Sequence, residues 1–384
     1  MQNIKIKGLK LCGETTTNPH GNGDNWHTTW AKNGAQYTGL CDGIGFKECP
    51  ECDDISHNSR LFIINGPPDG FKFGYMRGYP NLKYDGSPGQ LRRSQYFGFG
   101  VLALNDTEIY QFLSVPRFIF GWTHNAFCGA KLMYSPDDGQ TWLNRDDTPV
   151  YFEGLEERNH ENMMFYEEGD GAFSLISVLQ MGQNYSWNAD GYVYIYAPNG
   201  NSEDTMRQLV MARVPKDKIK DRGAYEFFVA RNGENAKWSA DISKRNAIHT
   251  FPAGWVNTAC AEGFGMHPYS WHPSLIYNKP LGKYMMLNWG MGVGKNNDWF
   301  EKPSCLGCWV SDYPWGPWSQ IFDEQQWCPR GDGNARAYQP QFMPAWLAPD
   351  GKSFYMSWTD FRGDTPVGPT YAYQHQRVEI IVEE

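Results

Sequence analysis

Apolar and aromatic runs broken by short polar, Gly or Pro turns recur five times along the chain, at residues 30–37, 104–110, 166–173, 277–284 and 347–354. In the first, Trp30 and Tyr37 flank Lys32, Asn33 and Gly34; in the fourth, Tyr277 and Tyr284 flank Asn278, Pro280 and Gly282. Strand formers around residues that tolerate positive φ predict β-hairpins. At intervals of roughly 60 to 110 residues, they predict the inner strand pairs of five four-stranded sheets around one axis. The expected fold is all-β, a five-bladed β-propeller of antiparallel sheets in one domain spanning residues 1–384.

The blades are expected at about 25–78, 94–153, 161–214, 270–322 and 339–382. In blade 3 the innermost strand is expected at 161–167, and in blade 2 the outermost near 149–153. Blade 5 comes up one strand short. Residues 4–11 alternate apolar Ile4, Ile6, Leu9 and Leu11 with Lys5, Lys7 and Lys10, the period of a half-buried strand. They are expected to close the ring as the outer strand of blade 5, which removes an open edge. Residues 214–221 read as a short surface helix with Pro215 in its first turn. The long stretch 223–268 is expected to cover part of the top face. Ser135, Asp137, Gly139, Thr141 and Trp142 match the Asp-box pattern S-x-D-x-G-x-T-W, which caps the outer hairpin of a propeller blade.

Composition narrows the function. Aromatics make up 16 % of the residues, and beyond packing between blades some of them can serve as platforms for sugar rings. The net charge of −9 argues against nucleic acid, which needs clustered Lys and Arg. No apolar run reaches membrane-spanning length. Residues 1–7 lack the apolar core of a secretory signal, so the protein is either intracellular or trimmed of a leader. If those aromatic platforms serve a polysaccharide, the expected place is extracellular or periplasmic. Cys49 with Cys52 and Cys305 with Cys308 form two C-x-x-C pairs, which together suit a zinc site, although inert thiols or local disulfides are the simpler reading.

If the inner hairpins turn at the bottom, the N-terminal ends of the inner strands meet at the top. Asp24, Asn25, Trp26, His27 and Asp42 then come from blade 1. Trp122 and His124 come from blade 2, His160 and Glu161 from blade 3, Trp271 and His272 from blade 4, and Tyr338, Gln339 and Asp360 from blade 5. Glycoside hydrolysis needs two carboxyl groups at the scissile bond. Asp24 and Asp42 stand at the same end of adjacent strands and are the expected catalytic pair, with Glu161 as a third carboxylate. The other named residues are expected to bind substrate.

The run Asp24, Asn25, Trp26, Thr29 and Trp30, followed by Tyr37 and then Asp42-Gly43, resembles the opening of a propeller family that includes endo-D-arabinanases. The similarity extends loosely through the single Asp-box, residues 192–196, 213–215 and 273–278, and the last blade. Residues 311–318 are also similar to arabinanase and xylosidase propellers. The resemblance implies a five-bladed propeller that hydrolyses arabinofuranosidic links, with the paired aspartates falling on Asp24 and Asp42. His272 departs from it, because many related propellers carry a Glu there.

Two rival functions remain open. Imidazoles of His27, His124, His160 and His272 on one rim would suit a metal-assisted polysaccharide lyase acting on a uronic-acid polymer. A non-catalytic sugar-binding propeller would keep the aromatic platforms alone. No cofactor is expected, apart from the option of a Ca²⁺ ion in the axial channel.

Overall fold

Four of the five expected hairpins join the two innermost strands of a sheet. In a computed structural model, residues 4–47, 49, 55–80, 82, 96–116, 127–200, 207–252, 273–292, 300–362 and 370–383 are described. Five antiparallel sheets surround an axis, as a five-bladed β-propeller. Among the described residues there is no α-helix. The helix expected at 214–221 is a single 3-10 turn, Lys216–Lys218, with Pro215 at its N-cap.

From the axis outward, blade 1 consists of Thr28–Trp30, Gln36–Leu40, Arg60–Asn65 and Lys72–Tyr75. Blade 2 consists of Phe97–Leu104, Glu108–Pro116, Phe127–Ser135 and Leu143–Asn144, so its outer strand follows the Asp-box directly instead of lying near 149–153. Asp137 ties that turn together by accepting from the Thr141 backbone N–H and hydroxyl, both at 2.8 Å. Blade 4 consists of Ser274–Asn278, Lys283–Gly290, Cys305–Ser311 and Ser319–Glu324.

Blade 3 is shifted from its expected place. Its innermost strand is Ser177–Val178, followed by Tyr192–Pro198, Gln208–Pro215, Glu226–Asn232 and Asn235–Ser239. The expected inner strand is largely irregular. Its end, Phe165–Tyr166, pairs with the outer edge of Phe127–Ser135 in blade 2, at Ala130 and Gly129. The physical reason is the shortness of Leu143–Asn144, which covers only Tyr134 and Met133 and leaves the start of that edge open. Residues 226–239, expected to lie over the top face, instead form the outer hairpin of blade 3, with Gly233 at φ 58° in its turn.

Blade 5 consists of Ala337–Phe342, Ser353–Arg362 and Thr370–Val382, and the strand Ile6–Asn22 closes it. The pairing runs from Ile6 opposite Val382 to Asn22 opposite Ala372, so the closing strand extends well beyond the expected residues 4–11. The chain passes from Asn22 through Gly23 to Asp24, from the outside of blade 5 to the inside of blade 1. Closure of the ring therefore delivers Asp24 to the top of the axis.

Most aromatics fill the spaces between sheets, where Tyr196, Phe227 and Trp309 are buried with the blade 2 residue Leu102 in one cluster. Trp26, Leu40, Phe46, Phe62 and Tyr373 form another, between blades 1 and 5. Burial of such side chains supplies about 25 cal/mol per Å² of apolar surface.

Candidate active site

Asp24 and Asp42 come together at the top of blade 1, and two glycines permit it. The backbone of Gly43 lies so close to residues 22 and 23 that an added Cβ would stand 2.5 Å from both the Asn22 oxygen and the Gly23 Cα. At Gly23 an added Cβ would strike Leu40 Cδ1. Glycine at position 43 lets the two backbones touch at this point, and glycine at 23 leaves room for Leu40. One donor atom each from Asp24, Cys41 and Asp42 then lies within 4.8 Å of the others.

The two carboxylates are served unequally. Asp24, 7 % exposed, accepts from the Tyr338 hydroxyl at 2.8 Å, the Asn25 amide at 3.0 Å and the Asp42 backbone N–H at 3.2 Å. Asp42, partly exposed, accepts from the Asn58 amide at 2.9 Å. Burial raises both, since a carboxylate loses its water. Asp24 rises to about 6, held down by its donors, whereas burial and then the Asp24 charge push Asp42 up to about 8. The arrangement favours an ionised Asp24 beside a protonated Asp42.

Blade 5 supplies the bracing. Tyr338 opposes Thr359 while Gln341 opposes Ser357, so the inner strand carries one extra residue, a β-bulge, with Gln339 at φ 53°. The bulge allows Tyr338 to reach Asp24 and Gln339 Oε1 to accept the Asn25 N–H at 3.1 Å. Asn25 is itself left-handed, at φ 56°. Two non-glycine residues in this conformation, joined by a hydrogen bond beside the carboxyl pair, are the kind of strain that gathers at functional sites.

Several expected site residues have other positions. Trp26 is wholly buried, with its indole N–H donating to Thr359 Oγ1 at 3.0 Å and its ring against Phe46 and Tyr373, so it packs blade 1 on blade 5 and offers no sugar platform. His27 is buried with its ring against Phe99, and burial lowers it to about 3, keeping it neutral. Tyr338 and Gln339, expected to bind substrate, are buried and brace Asp24 and Asn25 instead. Asp360 accepts the Arg336 N–H at 2.8 Å and closes the top of blade 5. His160 and Glu161 are exposed beside the outer strand of blade 2, where the Arg145 guanidinium donates to both carbonyls. Because Ser177–Val178 replaces their segment as the inner strand, the structure does not bring them to the carboxyl pair, nor His160 to His27. Trp122, His124, Trp271 and His272 lie outside the described residues.

Cys41, Asn58 and Tyr371 belong to the site without having been singled out in the sequence. Asn58 was accessible: Gln36 pairs with Ile64 and Leu40 with Arg60, and the same register puts Asn58 opposite Asp42. Ionisation of Tyr371 is opposed first by burial and then by Asp24 and Asp42, which places its ring near both.

The axial cavity is lined by His27, Ser177, Gln180, Ser274 and Gln341, with inner strands of all five blades contributing. Its donors are amides, hydroxyls and one imidazole. Calcium takes amide oxygens as well as carboxylates, and no carboxylate is among the residues that line this cavity. The two C-x-x-C pairs do not fit zinc: Cys305 and Cys308 lie three apart on one strand and face opposite sides of the sheet. The seven described cysteines are free thiols, and Cys52 lies outside the described residues.

No protein-family model matches the chain, and no curated protein matches it in sequence. Among solved structures, it is similar to a Bacteroides ovatus protein described as a hydrolase, with a TM-score of 0.50 and 12 % identity over 96 % of this chain and 87 % of the other. The catalytic domain of an α-L-arabinofuranosidase from Coprinopsis cinerea gives a TM-score of 0.46 and 10 % identity, covering 98 % and 96 % of the two chains. An endo-arabinase from Bacteroides thetaiotaomicron gives 0.46 and 11 %, covering 94 % and 95 %. At such identities the first likeness speaks for a shared fold and for nothing finer.

Proposed function

We propose that this protein is a glycoside hydrolase in which Asp42 is the acid and Asp24 the ionised partner. The observation that carries the reading is the carboxyl pair, with donors within 4.8 Å and three hydrogen bonds on one carboxylate against one on the other. A pair of titratable groups held apart in proton affinity is what acid and base roles require. Asp42 keeps an open side toward solvent, from which a glycosidic oxygen can approach and take its proton. Asp24 then stabilises the positive charge that develops on the sugar, as nucleophile or counter-ion.

The proposed substrate is an arabinofuranosidic polysaccharide, on the strength of the opening motif that spans Asp24 to Gly43. A polymer of this kind places the enzyme's work outside the cytoplasm. The lyase reading has less support, since His27 lies at the axis while His160 stands exposed at the edge of blade 2, so the two imidazoles share no site.

The test is incubation with arabinans and with uronate polymers, following reducing ends and the absorbance of an unsaturated product. New reducing ends without that absorbance are expected from arabinan. Asp24→Asn and Asp42→Asn should each lose about a thousandfold or more in rate. Near-normal activity in either variant, or an unsaturated product, would overturn the assignment.

A further inference from the structure

Beside the carboxyl pair sits a thiol for which hydrolysis has no use. One donor atom each of Asp24, Cys41 and Asp42 lies within 4.8 Å of the others. Asn25, 4 % exposed, donates its amide nitrogen to Asp24 Oδ1, and on the other arm of the same amide its buried Oδ1 has no hydrogen-bond partner. A buried acceptor oxygen without a donor is uncommon in a native fold, and a cation satisfies it.

We infer that Asp24, Cys41 and Asp42, with the Asn25 carbonyl oxygen beside them, form a site for one soft divalent cation of the zinc and cadmium class. Zinc bonds of about 2.3 Å to sulfur and 2.0–2.2 Å to oxygen put tetrahedral donors roughly 3.5 Å apart, so side-chain adjustment of about 1 Å gathers this set. Three protein ligands leave a fourth position for water or for the Asn25 oxygen, and the exposed side of Asp42 is the way in. A thiolate among the donors selects zinc or cadmium over magnesium or calcium, which take oxygen alone. Binding expels the Cys41 thiol proton and the proton on Asp42 to solvent. The inference stands apart from the reaction assigned to the pair. If that reaction is hydrolysis, the bound ion removes the proton that Asp42 must give.

The experiment is a cadmium titration of the full chain, read in the ultraviolet band of sulfur-to-cadmium charge transfer, with wild type and Cys41→Ser compared at equal concentration. Other thiols contribute to both curves, so the difference decides. Loss of about one equivalent of cadmium in Cys41→Ser, with zinc displacing it and excess calcium leaving it in place, is the expected result. Superimposable curves, or displacement by calcium, would overturn the site. Asp42→Asn supplies a second reading that keeps the thiol: the same equivalent should bind about tenfold or more weakly, and unchanged affinity would refute carboxylate ligation.

Discussion

The phenol of Tyr338 donates to Asp24 Oδ2 at 2.8 Å across the seam where the last blade meets the first. The two residues are 314 positions apart and meet only because the ring closes through Ile6–Asn22. The hydrogen bond favours the ionised form of Asp24, against the burial that raises it to about 6.

Tyr338→Phe removes that donor and leaves the ring in place. The Asp24 carboxyl should then hold its proton to higher pH, so the acid limb of a kcat/KM profile should move up by about one unit or less. A profile of substrate cleavage against pH measures it. An unmoved acid limb would show that Asp24 does not govern it.

Asn58 acts on the other carboxyl, since its amide donates to Asp42 at 2.9 Å and favours the anion. Asn58→Ala should therefore raise the alkaline limb and leave the acid limb nearly where it was. The two limbs belong to the pair jointly, so each is read as a shift between variants. A rise of the acid limb, with the alkaline limb unmoved, would reverse the roles given to Asp24 and Asp42.

Stability should carry the same signature. The native protein keeps protons on Asp24 and Asp42 that the unfolded chain releases near pH 4. Because the native state binds more protons in this window, stability declines as pH rises from about 4 to about 8. Asp42→Asn removes the buried charge and should be the more stable protein at pH 8, by about 1 kcal/mol or more, with the difference fading toward pH 4. Denaturant unfolding at both pH values measures it; a variant equally destabilised at both would contradict the buried-charge account.

Why the sequence showed the ring but misplaced blade 3 follows from particular residues. The turns at 30–37, 104–110 and 277–284 announce inner hairpins because Gly34, Asn105, Asp106 and Gly282 take positive φ between aromatic strands. The turn at 166–173 has the same composition, yet it links Phe165–Tyr166, on the edge of blade 2, to blade 3. Local pattern does not distinguish an inner hairpin from a link between blades, because the decision lies in which edge stands open. An equally strong signal, Asn232-Gly233, marks the outer hairpin of blade 3 and was absorbed into a supposed cover of the top face. The two aspartates were legible as residues at matching strand ends. Their unequal surroundings were not, since Tyr338 owes its reach to a bulge and Asn58 its place to register. Trp26 misled for a related reason: two residues after Asp24 in sequence, it points into the seam between blades 1 and 5.

Gly43 offers a test of how the pair is assembled. An added Cβ would stand 2.5 Å from Asn22 O and Gly23 Cα, both backbone atoms that side-chain rotation cannot clear. Gly43→Ala should push the segment carrying Asp42 away from Asp24, lowering kcat by about a hundredfold while the ring persists. Circular dichroism and activity together measure it. A variant with wild-type activity would mean that the close approach is not needed to bring the carboxyls together.

The separation of the pair also bears on stereochemistry. Inverting glycosidases hold their carboxyl groups about 6.5–9.5 Å apart, which leaves room for the attacking water, whereas retaining enzymes hold them about 5–5.5 Å apart. One oxygen of Asp24 lies within 4.8 Å of one oxygen of Asp42, an approach that suits the shorter, retaining spacing. On the proposed reading, Asp24 attacks the sugar itself, with Asp42 first protonating the departing oxygen and then taking a proton from the incoming water. The first product released should keep the anomeric configuration of the bond cleaved. Proton NMR of the product within the first minutes, before mutarotation, measures it. The inverted anomer appearing first would mean that a carboxyl group outside this pair takes part, and Asp24 would then keep only an electrostatic role.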